Sequence, residues 1–533
     1  MKEMIKLLVA QINPTVGAID YNAKLILDII KAHSKQHDII LFPELALSGY
    51  PPEDLLLRDE LHTKISYELK KIQRAAPSCH VILGHPEKKA ANIYNTASLF
   101  FQGKRYVSYH KQKLPNNGIF DEKRYFTEGE ARPGIFTLND MRFGICICED
   151  LWQEGPFAEL LQADIQVLLA LNASPFDQEK YAKRVKLLNK LSKNKLMIVY
   201  ANLIGGQDEL LFDGLSMSFD KTGKLKTRAK TLTEDLHSIT ITKNTIKGEL
   251  NPLLAKTELL YKALVVAVKD YVHKTKHSAV LVGLSGGIDS ALTLAIAVDA
   301  LGCENVTAVR MPSRYTDSIS LIDADLLIHT LKVKSYTLPI ESMFNASLAT
   351  LHEIFRQHSP NIAEENLQAR IRALILLGIS NKTNQLILTT SNKSELAMGY
   401  GTIYGDMAGA FNVLKDIYKT EVYQLANYRN QQSFVIPERI LTRAPSAELA
   451  FNQKDQDTLP PYDRLDLILK ELIENRATLK DLIKQGFQEQ EIINIQKTIQ
   501  RNEFKRNQAP VGPKVSKVAF GRDWRFPICN GWL

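Results

Sequence analysis

Short apolar runs alternate with amphipathic stretches along most of the chain, the pattern of strands interleaved with helices. Ile5 to Gln11 predicts a first strand. Ala23, Leu27 and Ile30 then form the apolar stripe of a helix running from a capping Asp20 to about His37. Further strands are predicted at Ile39 to Phe42, Val81 to Leu83, Ala97 to Phe101, Tyr106 to Tyr109, Arg142 to Cys148, Val167 to Leu171 and Met197 to Ala201, with helices near Glu159 and Lys183. Alternation of this kind, broken by hairpin-like pieces, predicts a layered α/β domain. Ile239 to Leu250 falls between patterned segments, which places a boundary near Lys247 and divides the chain into residues 1–247 and 248–533.

Beyond the boundary the rhythm becomes regular. Asn251-Pro252 opens a helix with Leu260, Leu264, Val268 and Tyr271 at helical spacing. Strands at Ala279 to Val282, Asn305 to Arg310, Val333 to Leu338 and Gln385 to Thr389 alternate with helices at Ala291 to Val298, Ser320 to Leu331 and Glu365 to Ser380. This predicts a parallel, doubly wound sheet, whose ligands sit at the carboxyl ends of the strands. Two more helices are predicted at Leu465 to Glu474 and Asp481 to Lys497. The terminal DWRFPICNGWL predicts an ordered tail that folds over a site or against a partner subunit.

Composition narrows the class. With 533 residues, 45% hydrophobic and 24% charged, the chain has the make-up of a soluble globular protein with more than one core. A net charge of +8 is mild and suits anionic small ligands. No polybasic run resembles a nucleic-acid arm, so no nucleic-acid partner is expected. The N-terminal apolar run turns polar too quickly for a signal peptide, and no apolar stretch reaches the roughly 18 residues of a membrane span. Cysteines at 79, 146, 148, 303 and 529 are few and not spaced as a metal site, which fits a reducing, cytoplasmic setting.

Three positions at predicted strand ends carry chemistry: Glu44 after IILF, Lys111 after RYVSYH, and Cys148 at the polar exit of MRFGICIC. A carboxylate can turn a thiol into a thiolate, and an ammonium can hold the oxyanion formed when that thiolate attacks a carbonyl. Cys146, inside the apolar run, reads as core. Lys113 remains an alternative to Lys111. FPELALSGY, HKQKLPN and ICICEDLW resemble the Glu, Lys and Cys motifs of the nitrilase, or carbon–nitrogen hydrolase, superfamily. That resemblance implies an α-β-β-α sandwich and amide hydrolysis, with Glu44 as general base, Lys111 as oxyanion stabiliser and Cys148 as nucleophile. Glu122, in FDEKRYF, is a candidate for a second carboxylate near the lysine. The same resemblance covers NASPF and Lys180, so that Ser174 and Lys180 would hold the amino-acid end of a glutamine. A helix-surface charge is the plain alternative for Lys180. Asn117, also a glutamine-binding candidate, stands where relatives often carry Tyr.

In the second half Gly283-Leu284-Ser285-Gly286-Gly287-Ile288-Asp289-Ser290 links a strand to a helix N-terminus. Glycines let the backbone approach a phosphate, and free N–H groups favour its charge. No Gly-Lys-Ser/Thr closes the loop, so it is not a Walker loop. Thr390 and Glu395 follow the strand LILT, and Asp289 with Glu395 could share a Mg²⁺, although Glu395 also reads as a helix N-terminal charge capped by Asn392. Lys419 could meet an ATP phosphate. Arg370 and Arg372, two apart on a helix, do not share a face, so one points inward. SGGIDS resembles the pyrophosphate loop of the ATP pyrophosphatases. With ENLQARIR, TTSNKSE, GYGTIYGD, NVLKDIYKT and RAPSAEL in order, it resembles the NAD synthetases. That resemblance implies that Gly283 to Ser290, Thr390 and Lys419 bind ATP and that Asn366, Arg370, Glu395 and Lys505 meet deamido-NAD. Ile403 stands where shorter, ammonia-using relatives have Lys.

Together the halves resemble the glutamine-dependent NAD synthetases. An amide hydrolase would release ammonia from glutamine. A ligase would then amidate deamido-NAD through an adenylated intermediate, cleaving ATP to AMP and pyrophosphate. A homodimer or larger homo-oligomer is expected by the same resemblance. An ATP-dependent RNA-modifying enzyme would need an RNA-binding module or reactive Cys pairs, and neither is present in the second half. A non-catalytic nucleotide-binding scaffold would not need Glu44, Lys111 and Cys148 intact.

Overall fold

Strand Ile5–Gln11 sends Leu7 and Val9 into one core and Leu8 and Ala10 into another, as the two-residue period of a strand buried on both faces requires. The same division runs through the first of two units, Met1–Leu254 and Ala255–Leu533, into which the chain separates. The computed structural model describes residues 4–532 apart from 76, 77, 452, 454 and 458.

The first unit holds two large sheets. In the seven-stranded sheet the order is Ile246–Gly248, Asp235–Ile241, Ile5–Gln11, Ile39–Leu41, His80–Lys89, Asn92–Phe101 and Lys104–His110. In the six-stranded sheet it is Leu225–Arg228, Met217–Phe219, Met197–Asn202, Val167–Asn172, Met141–Ile147 and Gly134–Leu138. Leu7, Val9, Leu41 and Ile82 from the first pack with Ile145, Ile147, Leu169 and Val199 from the second, so one core lies between the sheets. Leu8, Ala10 and Ile40 pack outward on helices Ile19–His33 and Asp59–Arg74. Cys146, Leu168 and Ile198 pack outward on Pro156–Gln162 and Lys180–Ser192. The layers are therefore α-β-β-α, as expected.

Boundaries differ in detail. The first helix begins at Ile19 and ends at His33, and Asp20 lies in its first turn without capping it. Ile239 to Leu250 is not a gap between patterned segments. Asp235–Ile241 runs antiparallel to the first strand, and Ile246–Gly248 continues the sheet at its edge. Both strands are half exposed to water and lack the continuous apolar run that marked the central ones.

In the second unit five parallel strands are ordered Lys334–Thr337, Val306–Arg310, Val280–Gly283, Leu386–Thr389 and Phe411–Asn412. The order reverses between Val280–Gly283 and Leu386–Thr389, which opens a crevice at their carboxyl ends. Helix Glu341–Phe355 escaped the sequence pattern. The single helix expected at Asp481 to Lys497 is two, Leu479–Lys484 and Glu489–Arg501, parted at Gly486, whose φ of 92° no helix interior admits.

The C-terminal segment is built into this unit. The Lys393 ammonium is fully buried and pairs with Asp416 at 2.8 Å and Glu474 at 3.1 Å. It also donates to Ser516 Oγ at 2.7 Å and to the Val518 carbonyl at 2.8 Å. Asp416 in turn accepts from the backbone N–H groups of Val515 and Ser516.

Candidate active sites

Strand parity puts Cys146 and Cys148 on the same face, yet the structure parts them. Cys146 joins the core beneath the helices, whereas Cys148 joins the core between the sheets. The strand ends at Ile147, and Cys148 opens a single 3-10 turn with φ 45°, which swings its side chain to the opposite side. A non-glycine residue in that region is strained, and such strain gathers at functional sites.

The turn faces a buried cluster of charge. Lys111 Nζ donates to Glu44 Oε1 at 2.7 Å and to both oxygens of Glu122 at 2.9 Å. Lys113 takes no part in this cluster; it uses its backbone N–H on Asp150. Glu44 also accepts from Asn95 Nδ2 and from the Ala173 N–H, both at 2.8 Å. Tyr50 donates its hydroxyl to Glu122 at 2.9 Å. Burial is the largest influence on Tyr50, Lys111, Glu122 and Cys148. It drives the Cys148 thiol well above its usual range, reinforced by Glu44 and opposed by Lys111. It lifts Glu122 to about 7 against the pull of Lys111. On Lys111 burial pulls downward but is outweighed by Glu122 and Glu44, so the ammonium stays charged. The resting thiol is thus protonated beside a carboxylate that can take its proton, and a cation stands ready for an oxyanion.

Ser174 is buried, and its N–H donates to Asn202 Oδ1 at 2.9 Å. The Lys180 ammonium lies 5.0 Å from the centre of the Trp152 ring. Burial and then Arg184 pull Lys180 down, while the Cys148 sulfur acts on it in the opposite sense. Lys180 is therefore a half-buried cation near the thiol rather than a solvated helix charge. Asn117 lies exposed, its carbonyl accepting from the Phe120 N–H.

Gly84 lets Glu44 reach this position. A Cβ there would stand 2.5 Å from the Leu45 nitrogen and the Pro43 oxygen and 2.8 Å from the Glu44 Cα. Backbone cannot yield as a side-chain tip can. Gly84→Ala is expected to cost about 1–3 kcal/mol of stability, as overpacking does, and to impair any reaction at Cys148 more than any in the second unit. Urea denaturation and separate assays of the two half-reactions check this.

In the second unit a cavity of about 300 Å³ lies in the crevice. Gly283 through Ser290, Thr390, Glu395 and Lys419 all line it. Gly286 has φ 89°, and a Cβ there would meet the Ser320 oxygen at 2.4 Å, so only glycine fits. Lys419 Nζ pairs with Asp289 and lies 3.3 Å from Glu395 Oε1. Asn392 Nδ2 donates to Asp289 at 2.9 Å and caps the helix that carries Glu395. Burial, then Asp289, lifts Glu395 to about 8 against Lys419. Asp289 and Glu395 are the two carboxylates of this wall, the ligand type that Mg²⁺ takes together with phosphate and water, and Lys419 pairs with both of them here.

The residues expected on the deamido-NAD side gather around one loop. Thr402 donates to Asn366, Arg370 donates to the Ile403 carbonyl, and Lys505 donates to the carbonyls of Gly399 and Gly401. Arg370 is exposed, and it is Arg372 that lines the cavity, donating to the Met311 carbonyl at 3.0 Å. Burial lowers Arg372 to about 10. Helical spacing pointed to one inward arginine without saying which, and the resemblance named Arg370, whereas Arg372 is the one on the cavity wall. The RAPSAEL stretch, Arg443 to Leu449, also lines the cavity, as does Asp455, which no motif marked because a three-residue turn carries no periodicity.

The carbon-nitrogen hydrolase family model matches residues 6–248, and the NAD synthase family model matches residues 260–509. A relative from Acinetobacter baylyi, a glutamine-dependent NAD(+) synthetase, is 42% identical over 99% of this chain and 98% of its own. One of the same name from Xanthomonas campestris pv. campestris is likewise 42% identical over 99% and 98%. Among solved structures, the glutamine-dependent NAD+ synthetase from Acinetobacter baumannii, in complex with adenosine diphosphate, matches with a TM-score of 0.81 at 40% identity, covering 99% of both chains.

Proposed function

This chain belongs to the glutamine-dependent NAD(+) synthetases, and from that premise we propose how its two centres divide the work. The enzyme hydrolyses glutamine and amidates deamido-NAD to NAD at the expense of ATP. In the first unit Glu44 takes the Cys148 proton as the sulfur attacks the carboxamide carbon. Lys111 holds the oxygen that becomes negative, and Glu44 returns the proton to the departing ammonia. Water, activated by the same carboxylate, then cleaves the glutamyl thioester. Ser174 and Lys180 hold the amino-acid end of glutamine, and Asn117 meets it from an exposed position.

In the second unit the Gly283–Ser290 loop, Thr390 and Lys419 hold ATP while its AMP passes to the carboxylate of deamido-NAD and pyrophosphate leaves. Ammonia then attacks the adenylated carbonyl and expels AMP. Asp289 and Glu395 would hold Mg²⁺, which supplies positive charge to the phosphates when bound. Asn366, Arg370, Glu395 and Lys505 contact deamido-NAD. We further expect a homodimer or larger assembly; Leu374 and Leu377, exposed on helix Ile362–Thr383, are consistent with one. No helix among the described residues is long and apolar enough to cross a membrane, and a cytoplasmic setting is our reading.

What carries the proposal is the coexistence in one chain of a thiol facing a buried Glu–Lys–Glu cluster and a nucleotide-sized cavity walled by a glycine loop. The test supplies ATP and deamido-NAD with either glutamine or ammonium and follows NAD, AMP and pyrophosphate. NAD formed without AMP would sink the adenylation step. No NAD from either nitrogen source would sink the whole assignment.

A further inference from the structure

Asp150 takes no part in the steps above, yet it is 1% exposed and accepts four hydrogen bonds. Oδ1 accepts from the backbone N–H groups of Gln112 at 3.1 Å and Lys113 at 2.9 Å. Oδ2 accepts from the Ile147 N–H at 3.1 Å and the Tyr109 hydroxyl at 2.8 Å. Three of these donors flank Lys111 in sequence, and the fourth immediately precedes Cys148. An ionised carboxylate has room for all four and no proton to place, so the anion is satisfied as it stands.

Two features of the centre depend on such a tie. The Cys148 turn sits at φ 45°, a conformation that persists only when its surroundings hold it. The Asp150 bond to Ile147 closes that turn from within. Lys111 has its ammonium fixed by Glu44 and Glu122, but the chain that follows it belongs to a loop, and Asp150 holds that chain at two successive N–H groups. We propose that Asp150 is a positioning residue that ties the Cys148 turn to the Lys111 segment, so that sulfur and ammonium meet the same carbonyl. This inference rests on the reading of Cys148 and Lys111 as the glutamine-hydrolysing centre. Without the tie, the turn relaxes toward ordinary backbone angles and the sulfur swings back toward the helix layer, where Cys146 lies.

The groups facing Asp150 are Tyr109 from strand Lys104–His110 and Lys111 beyond it; Glu159 of helix Pro156–Gln162 acts on Tyr109 and accepts from Gln112 Nε2 at 3.0 Å. Cys146 and Glu149 lie on its own segment. Burial pushes the Asp150 carboxyl up to about 6, while the Tyr109 hydroxyl and Lys111 pull it down. As pH falls through that value a proton displaces one of the four donors and the tie loosens.

The experiment compares Asp150→Asn, Tyr109→Phe and Cys148→Ala with the unaltered enzyme, full chain, driven by glutamine and separately by ammonium. In any orientation the amide introduced by Asp150→Asn turns its NH₂ toward at least one backbone N–H. Asp150→Asn is expected to lower the glutamine-driven kcat about 10- to 100-fold, the range of a misplaced reacting group, with KM for glutamine changed by less than about 3-fold. The ammonium-driven rate should stay as it was. Tyr109→Phe removes a donor that favours the anion, so the acid limb of the glutamine-driven rate should move to higher pH. An unchanged glutamine kcat in Asp150→Asn, or a loss confined to KM, overturns the proposal. If Asp150→Asn loses both reactions together through misfolding, Tyr109→Phe decides, and an acid limb left in place overturns it. Glutamine use surviving in Cys148→Ala would instead overturn the reading of the centre itself.

Discussion

Cys148→Ala is expected to abolish glutamine-driven NAD formation, by on the order of 10⁴-fold or more, as loss of a covalent nucleophile does. Ammonium-driven formation should persist. Alanine removes the sulfur from a core position that is 7% exposed and leaves the Glu44–Lys111–Glu122 cluster with all its partners, so the fold has little reason to change. The second unit has its own sheet and its own cores and owes nothing to the thiol. Glu44→Gln should behave similarly for a different reason. It removes the proton acceptor and leaves Lys111 with Glu122 as its one remaining carboxylate in this cluster. Paired steady-state assays with the two nitrogen sources read the outcome. Equal loss of both activities would mean that the two centres do not work as separable catalysts.

The mirror-image result is expected from Lys419→Met. NAD formation should fall about 10²- to 10³-fold with either nitrogen source, the range for loss of one preorganised charge opposite an anionic transition state. Glutamate release from glutamine should continue. Stability should also drop. Lys419 is buried between Asp289 and Glu395, and breaking a buried ion pair costs about 3–5 kcal/mol because the partner is left uncompensated. Glu395 softens that penalty. Its carboxyl already rises to about 8, and without Lys419, which pulls it down, it rises further and takes up a proton near neutrality. The sign follows: the variant should be less unstable at pH 6 than at pH 9, since a carboxyl raised in the folded state loses stability as pH climbs. Urea midpoints at the two pH values measure this.

The sequence was most legible where apolar residues run unbroken through a fully buried strand. Val167–Asn172 and Met197–Asn202 are buried at every position and were found almost to their ends. Met217–Phe219 and Leu225–Arg228 were not, because strands of three or four residues show too little pattern. Motif chemistry picked Glu44, Lys111 and Cys148, and the structure places the first two 2.7 Å apart with both acting on the thiol. What no periodicity carries is a departure from it. By strand parity Cys148 should lie with Cys146, and only the φ of one residue sends it to the other side. The arginine pair shows a related limit. Helical spacing says that Arg370 and Arg372 diverge, but which one meets the cavity depends on how the helix is rotated against the sheet.

The burial of Lys393 against residues near the end of the chain has a temporal side. Lys393 neighbours Asn392, which holds Asp289 in the glycine loop, and its ammonium is completed by Ser516 and Val518. Chains emerge from the ribosome N-terminus first, and domains fold as they appear. The glutamine-hydrolysing layers can close long before the ligase has its final stitch, so each nascent molecule passes through an interval in which an ammonia source is finished ahead of the consumer it feeds.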